Sequence, residues 1–161
     1  MGLFYTIKSF FVASDEEVRA AKCKMWQFMK DATKKVDLDG YELVYGKLAE
    51  TKDSLTTNRT QYHNYAIAFN KATLDIIILP IDPKLASCGW PVFINDATLK
   101  SADRILFGTA YQFDLHDGDN IMFETPAQNY KIGKSLGAME LPIMQEEEVK
   151  SFKEFFKMKL G

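Results

Sequence analysis

The chain has 161 residues, of which 47% are hydrophobic and 26% charged, with a net charge of −2. That length and balance suit one globular domain with a substantial core, and they exclude an intrinsically disordered chain. The near-neutral charge excludes general nucleic-acid binding, which needs a strongly basic face to displace counterions from phosphates.

Residues 1–36 carry seven Lys/Arg against four Asp/Glu, so this region is +3 and the remainder −5. A weakly basic N-terminal element of this kind can approach an anionic surface. Leu3, Phe4, Ile7, Phe10 and Phe11 fall at helical spacing and predict a short helix or docked tail. Lys8 interrupts this run, no basic region precedes it and it is too short to span a bilayer, so it makes a poor signal peptide, with export the minority reading through the cleavage-like Val12-Ala13-Ser14. Met1-Gly2-Leu3-Phe4-Tyr5-Thr6 matches the N-myristoylation pattern. One acyl chain binds membrane only marginally and would need support from Phe10, Phe11 and the basic region.

Ser14-Asp15-Glu16-Glu17 is a capping box, in which the serine oxygen and the glutamate carboxylate satisfy amide groups at a helix start. A helix is predicted over 15–36, with Val18, Ala21, Met25, Phe28, Met29, Ala32 and Val36 as its apolar stripe and Asp37 to Gly40 as its end. Trp26 falls off that stripe, which makes it a candidate partner contact.

From Tyr41 onward the pattern is that of short strands. The segments are Tyr41 to Tyr45, a polar loop from Asp53 to Asn58, Tyr62 to Phe69, and Thr73 to Ile81. The run Ile76-Ile77-Ile78-Leu79 predicts burial on both faces, under a helix. Val92 to Ile94 is a further strand, and another starts near Thr98 or Arg104. Tyr111 to Leu115 and Ile121 to Thr125 flank Asp117-Gly118-Asp119 as a β-hairpin. A three-residue loop pairing Leu115 with Ile121 and Phe113 with Phe123 keeps one apolar face inward and leaves Asp114 and His116 on the solvent face. Tyr130 to Ile132 is predicted as another strand, followed by Gly133, Gly137 and Met139 to Pro142. A closing helix over 145–160 buries Val149, Phe152, Phe155 and Phe156, and its charges run from Glu146-Glu147-Glu148 to Lys153, Lys157 and Lys159, matching the macrodipole.

About seven strands from Tyr41 to Leu141 and one amphipathic helix form an order that resembles the pleckstrin-homology-like superfamily. The resemblance implies an α+β, mostly β domain: an antiparallel roll over 41–142 of two orthogonal sheets, closed by the helix at 145–160, with residues 1–36 added outside. Leu115, Ile121 and Phe123 would line the interior and Val149, Phe152 and Phe156 the plug. The first hairpin, around Lys47, Lys52 and Arg59, lacks the compact basic cluster of phosphoinositide-binding members, and the closing helix has no tryptophan. The alternative packing is a cystatin-like or cone-shaped sheet with the first helix laid on it.

Catalytic signatures are sparse. Asp114, His116, Asp117 and Asp119 combine carboxylates with an imidazole, but Asp117 to Asp119 are ordinary turn residues and EF-hand spacing is missing. Gly133-Lys134-Ser135 lacks the earlier glycine of a phosphate loop, Gln128 standing in its place. Cys23 and Cys88 lie far apart without a C-x-x-C pair, which fits a reducing, cytoplasmic setting. No catalytic residue, metal or cofactor is expected. The reading is an intracellular interaction domain for a protein or peptide, bound along a sheet edge or through the N-terminal arm and helix, with Phe4, Phe10, Phe11 and Trp26 as contacts. A peripheral adaptor for an anionic membrane is the second reading. The third is a small α+β enzyme, which would require Asp114 and His116 to face inward.

Overall fold

The computed structural model describes residues 13–53, 58–129 and 141–160. Helix α1 (Asp15–Ala32) leads into strands β1 (Tyr41–Asp53), β2 (Asn58–Asn70), β3 (Ile76–Pro80), β4 (Val92–Ile94), β5 (Leu99–Ile105), β6 (Ala110–Leu115) and β7 (Asn120–Glu124), and helix α2 (Glu146–Leu160) closes the chain. All strands pair antiparallel, in the order β4-β3-β2-β1-β7-β6-β5. The result is a mostly β, nearly closed roll plugged by α2, with α1 outside, as expected. The two expected sheets are joined into one, through the pair Lys47↔Glu124 between β1 and β7 among the described residues.

Alternation of side chains explains both cores. Val44, Ile67, Phe69, Ile76 and Ile78 point into the roll, where they meet Tyr111, Phe113, Phe123 and the α2 residues Val149, Phe152, Phe155 and Phe156. Tyr111 sits edge-on to both Phe152 and Phe156, with ring centroids 4.9 and 4.8 Å apart. Such edge-to-face pairs add roughly 0.5–1.5 kcal/mol each beyond area burial. The intervening residues Leu43, Tyr45, Ala66, Ala68, Ile77 and Leu79 point outward, under Met25 and Met29 of α1. The run Ile76 to Leu79 is therefore buried on both faces, as its unbroken apolarity predicts.

Several boundaries differ from the expectation, each for a local reason. Helix α1 starts where the capping box says, with the Glu17 amide donating to Ser14 Oγ and the Ser14 amide to Glu17 Oε2. It ends one turn early, at Ala32, where Thr33 leaves helical geometry at φ −116° and ψ 39°, its hydroxyl donating to the Met29 carbonyl oxygen. Strands β1 and β2 run far past the expected limits, as a ribbon paired from Tyr41↔Asn70 to Asp53↔Asn58. Strand β3 begins at Ile76, not Thr73, because Asn70 Oδ1 accepts from the Ala72 and Thr73 amides and Leu74 adopts a φ of 61°.

The β6–β7 hairpin keeps its predicted face but not its register: Phe113 pairs with Ile121 and Tyr111 with Phe123. The loop still has three residues, His116 to Gly118, closed by the Leu115 amide on Asp119 O and the Gly118 amide on Leu115 O. Gly118, at φ 97°, fills the left-handed last position that such a loop requires, and this fixes the loop one residue earlier than expected. The strand expected at Tyr130 to Ile132 lies outside the described residues.

Gly46 marks the junction of β1 with β7. A Cβ there would lie 2.6 Å from Ile67 Cδ1 and 3.1 Å from Phe123 Cδ2, both within the filled interior. Gly46→Ala is expected to lower stability by about 1–3 kcal/mol through overpacking. Urea unfolding measures this directly, and an unchanged midpoint would show that the junction has room to spare.

Candidate functional site

The site forms where β1 loses its strand partner. Between Tyr41 and Tyr45, β1 has β2 on one side, while the described ladder to β7 joins only at Lys47. The other side is approached by residues 143–145 and the start of α2, and α1 lies across the outer face. Ala66 and Ala68 leave space for Met25 and Met29 to pack closely there.

Trp26 stands at the edge of this contact. It is half-buried and packed against the outer core. One open groove beside it is lined by Cys23, Gln27, Lys30, Leu38, Asp39 and Tyr41. The other is lined by Lys22, Glu42, Leu43, Glu147, Glu148 and Ser151. Beneath the second runs a narrow, mainly apolar slot between Val18 and Met25 on one wall and Ile143 and Met144 on the other, with Leu43 and Tyr45 at its base.

Polar contacts tie the walls together. Lys22 Nζ forms an ion pair with Glu148 across the groove. Ser151 Oγ donates to Glu42 Oε2, and Lys71 lies 3.7 Å from the same carboxylate. At the inner end the Gln145 side chain accepts from the Tyr45 amide at 2.7 Å and donates to the Tyr45 and Pro126 carbonyl oxygens at 2.9 and 2.7 Å. Burial by itself raises the Glu148 carboxyl, but the Lys22 hydrogen bond, a backbone hydrogen bond and the Lys22 charge outweigh it and hold the group below its ordinary value of 4.5.

Other residues singled out in the sequence lie elsewhere. Phe4, Phe10, Phe11 and the acylation pattern at Gly2 fall outside the described residues. Asp114 and His116 stay on the outer surface, as expected, so the inward pair that an acid–base centre would need is not built. The Asp114 carboxylate accepts from Ser101, Gln112 and Asn120, contacts that hold it below its ordinary value, the Ser101 bond most of all. His63 lies 3.4 Å from Glu50 on the surface. Cys23 is exposed, Cys88 is half-buried and both are free thiols. Among the described residues, no group of three or more His, Cys, Asp or Glu side chains is arranged to hold a metal ion, and no helix is long and apolar enough to cross a membrane.

Lys22, Glu42, Glu148 and Gln145 had no individual signal in the sequence. They come together only because two helices more than a hundred residues apart converge on one strand. Trp90, 89% exposed, and Phe107, fully exposed, are surface aromatics on turns elsewhere. Phe107 follows Leu106 and precedes Gly108, all three at positive φ, and the Arg104 guanidinium donates to the Gly108 carbonyl oxygen.

No protein-family model, curated protein or solved structure matches this chain.

Because its folded value is depressed, the Glu148 carboxylate adds stability above its unfolded-state pKa and loses it as pH falls through the folded value. Lys22→Met removes two of the lowering contacts and leaves burial in place. Carboxyl NMR titration should then show the Glu148 pKa moving upward, and an unchanged value would mean that the ion pair does not form in solution.

Proposed function

We propose that this chain is a non-enzymatic, cytoplasmic interaction domain of the pleckstrin-homology-like kind, and that it binds a protein or peptide at the Trp26 face. The observation that carries this reading is Trp26 itself. It is anchored in the outer core, yet it borders a groove on either side, between α1, β1 and α2. Partly buried aromatic side chains anchored in this way are typical binding hot spots, because little side-chain entropy remains to be lost on association.

The fold supports the same reading. The roll is tightly packed by α2, and α1 adds a second supported layer, so much of the groove wall is packed helix and strand. Strand order, the plugging C-terminal helix and the additional outer helix agree with the superfamily resemblance, whose members mostly serve as binding scaffolds. Fold alone does not choose the partner, so the assignment rests on the groove.

The test is photo-crosslinking in extract from the native host, with benzoyl-phenylalanine placed at exposed Gln27 beside the groove or at exposed Asp103 on β5. Discrete protein adducts from position 27 and none from position 103 are expected. Equal labelling at both positions would overturn the assignment of this face. Salt-sensitive sedimentation with anionic liposomes, lost when the chain starts at Ser14, would favour the membrane-adaptor reading in its place.

A further inference from the structure

The groove shared by Trp26 and Tyr41 has an aromatic floor and a polar rim. Trp26, Leu38 and Tyr41 are partly buried and rest on the outer core, while Cys23, Gln27, Lys30 and Asp39 stand exposed around them. The neighbouring groove is bridged by the Lys22–Glu148 ion pair, but no hydrogen bond or ion pair joins the side chains of this one among the described residues. The Trp26 indole N–H, the Gln27 amide and the Lys30 ammonium therefore remain as donors facing solvent. Its walls offer no strand ladder. The Tyr41 N–H is given to Leu38 O and the Asp39 N–H to the Asp37 carboxylate, and the facing wall is the middle of α1, where backbone amides are bonded within the helix. A ligand that suits this surface supplies apolar area to the floor and acceptors to the rim, without relying on main-chain pairing. Proline in the polyproline II conformation has that chemistry: its ring is apolar, its carbonyl accepts, it carries no N–H and its backbone stands unpaired.

We infer that a proline-rich segment of a partner protein lies in polyproline II conformation across Trp26 and Tyr41, with a lysine or arginine beside the prolines at Asp39. The inference rests on the binding role proposed above and names its ligand chemistry. Aromatic-lined grooves hold such segments because the preformed helix has little conformational entropy left to lose. The Trp26 indole N–H, fixed at the floor by the packing of its ring, is the donor that a proline carbonyl accepts. The charge preference follows from the two walls. Lys30 sits in the last turn of α1, where the helix dipole already favours a cation. Asp39 has no such compensation. Asp37 precedes it by two residues, and neither carboxylate is ion-paired among the described residues. An incoming cation neutralises this wall, whereas an incoming carboxylate meets like charge.

Two synthetic peptides test this on the full chain: an oligoproline with arginine at both ends, and its counterpart with every proline replaced by alanine. The Trp26 indole signal in heteronuclear NMR spectra, distinguished from that of Trp90 by Trp90→Phe, should shift with the first peptide and stay in place with the second. Affinity for the oligoproline should fall about tenfold in Trp26→Phe, which keeps an aromatic ring but removes the N–H. It should also fall several-fold in Asp39→Lys, an exposed position where folding is not at stake, and this second loss should vanish when the arginines are replaced by glutamine. Phe107→Ala should change nothing. An unshifted Trp26 signal, equal binding of the alanine peptide, or affinity indifferent to both variants would overturn the proline site. In that event, discrete protein adducts from position 27 would leave the interaction role standing, whereas their absence would count against both.

Discussion

One buried glutamine amide holds the junction on which the rest of this structure depends. Every hydrogen-bonding group of Gln145 is used. Its side chain pairs with both backbone groups of Tyr45 and with Pro126, its own amide donates to Ala127 O, and its carbonyl oxygen accepts the Val149 amide as the first bond of α2. A single residue thus joins β1, the segment after β7 and the closing helix. Leaving one such buried group unsatisfied costs about 1–3 kcal/mol. The junction is needed because, among the described residues, β1 and β7 pair only at Lys47↔Glu124, beside Gly46, where the absence of a side chain lets Ile67 and Phe123 fill the interior.

From that junction the two cores follow. The chain that leaves β7 returns antiparallel to itself, through the bridge Gln128↔Met144, and delivers Leu141 and Ile143 to the outer core before α2 turns inward. The same few residues therefore feed both layers. Strand β2 shows the division of labour most clearly: Ile67 and Phe69 fill the wide space inside the roll, and Ala66 and Ala68 keep the outer face low enough for α1 to lie flat on it.

How much of this was legible in the sequence depended on whether the signal was local. The capping box at Ser14, the uninterrupted Ile76 to Leu79 and the stripe Val149, Phe152, Phe155 and Phe156 each encode their environment in neighbouring residues, and each was read correctly. In the β6–β7 loop, facing apolar pairs point to a loop one residue later than the one that forms, because the left-handed position that Gly118 fills easily sets the register instead. The long β1–β2 ribbon was missed because its polar ends look like loop. At the site, Trp26 was visible as an anomaly off its stripe, but Gln145 looked like one more polar residue ahead of three glutamates. Its burial depends on where the chain after β7 returns beside β1, and no local pattern records that.

The most direct test of the Gln145 junction is amide hydrogen exchange at Tyr45 in the wild-type chain and in Gln145→Ala. The account predicts that Tyr45 is strongly protected in the wild type and loses that protection in the variant well before amides of the β2–β3 ladder do. Equal protection of Tyr45 in both proteins would contradict it and would mean that another partner holds β1 to the roll.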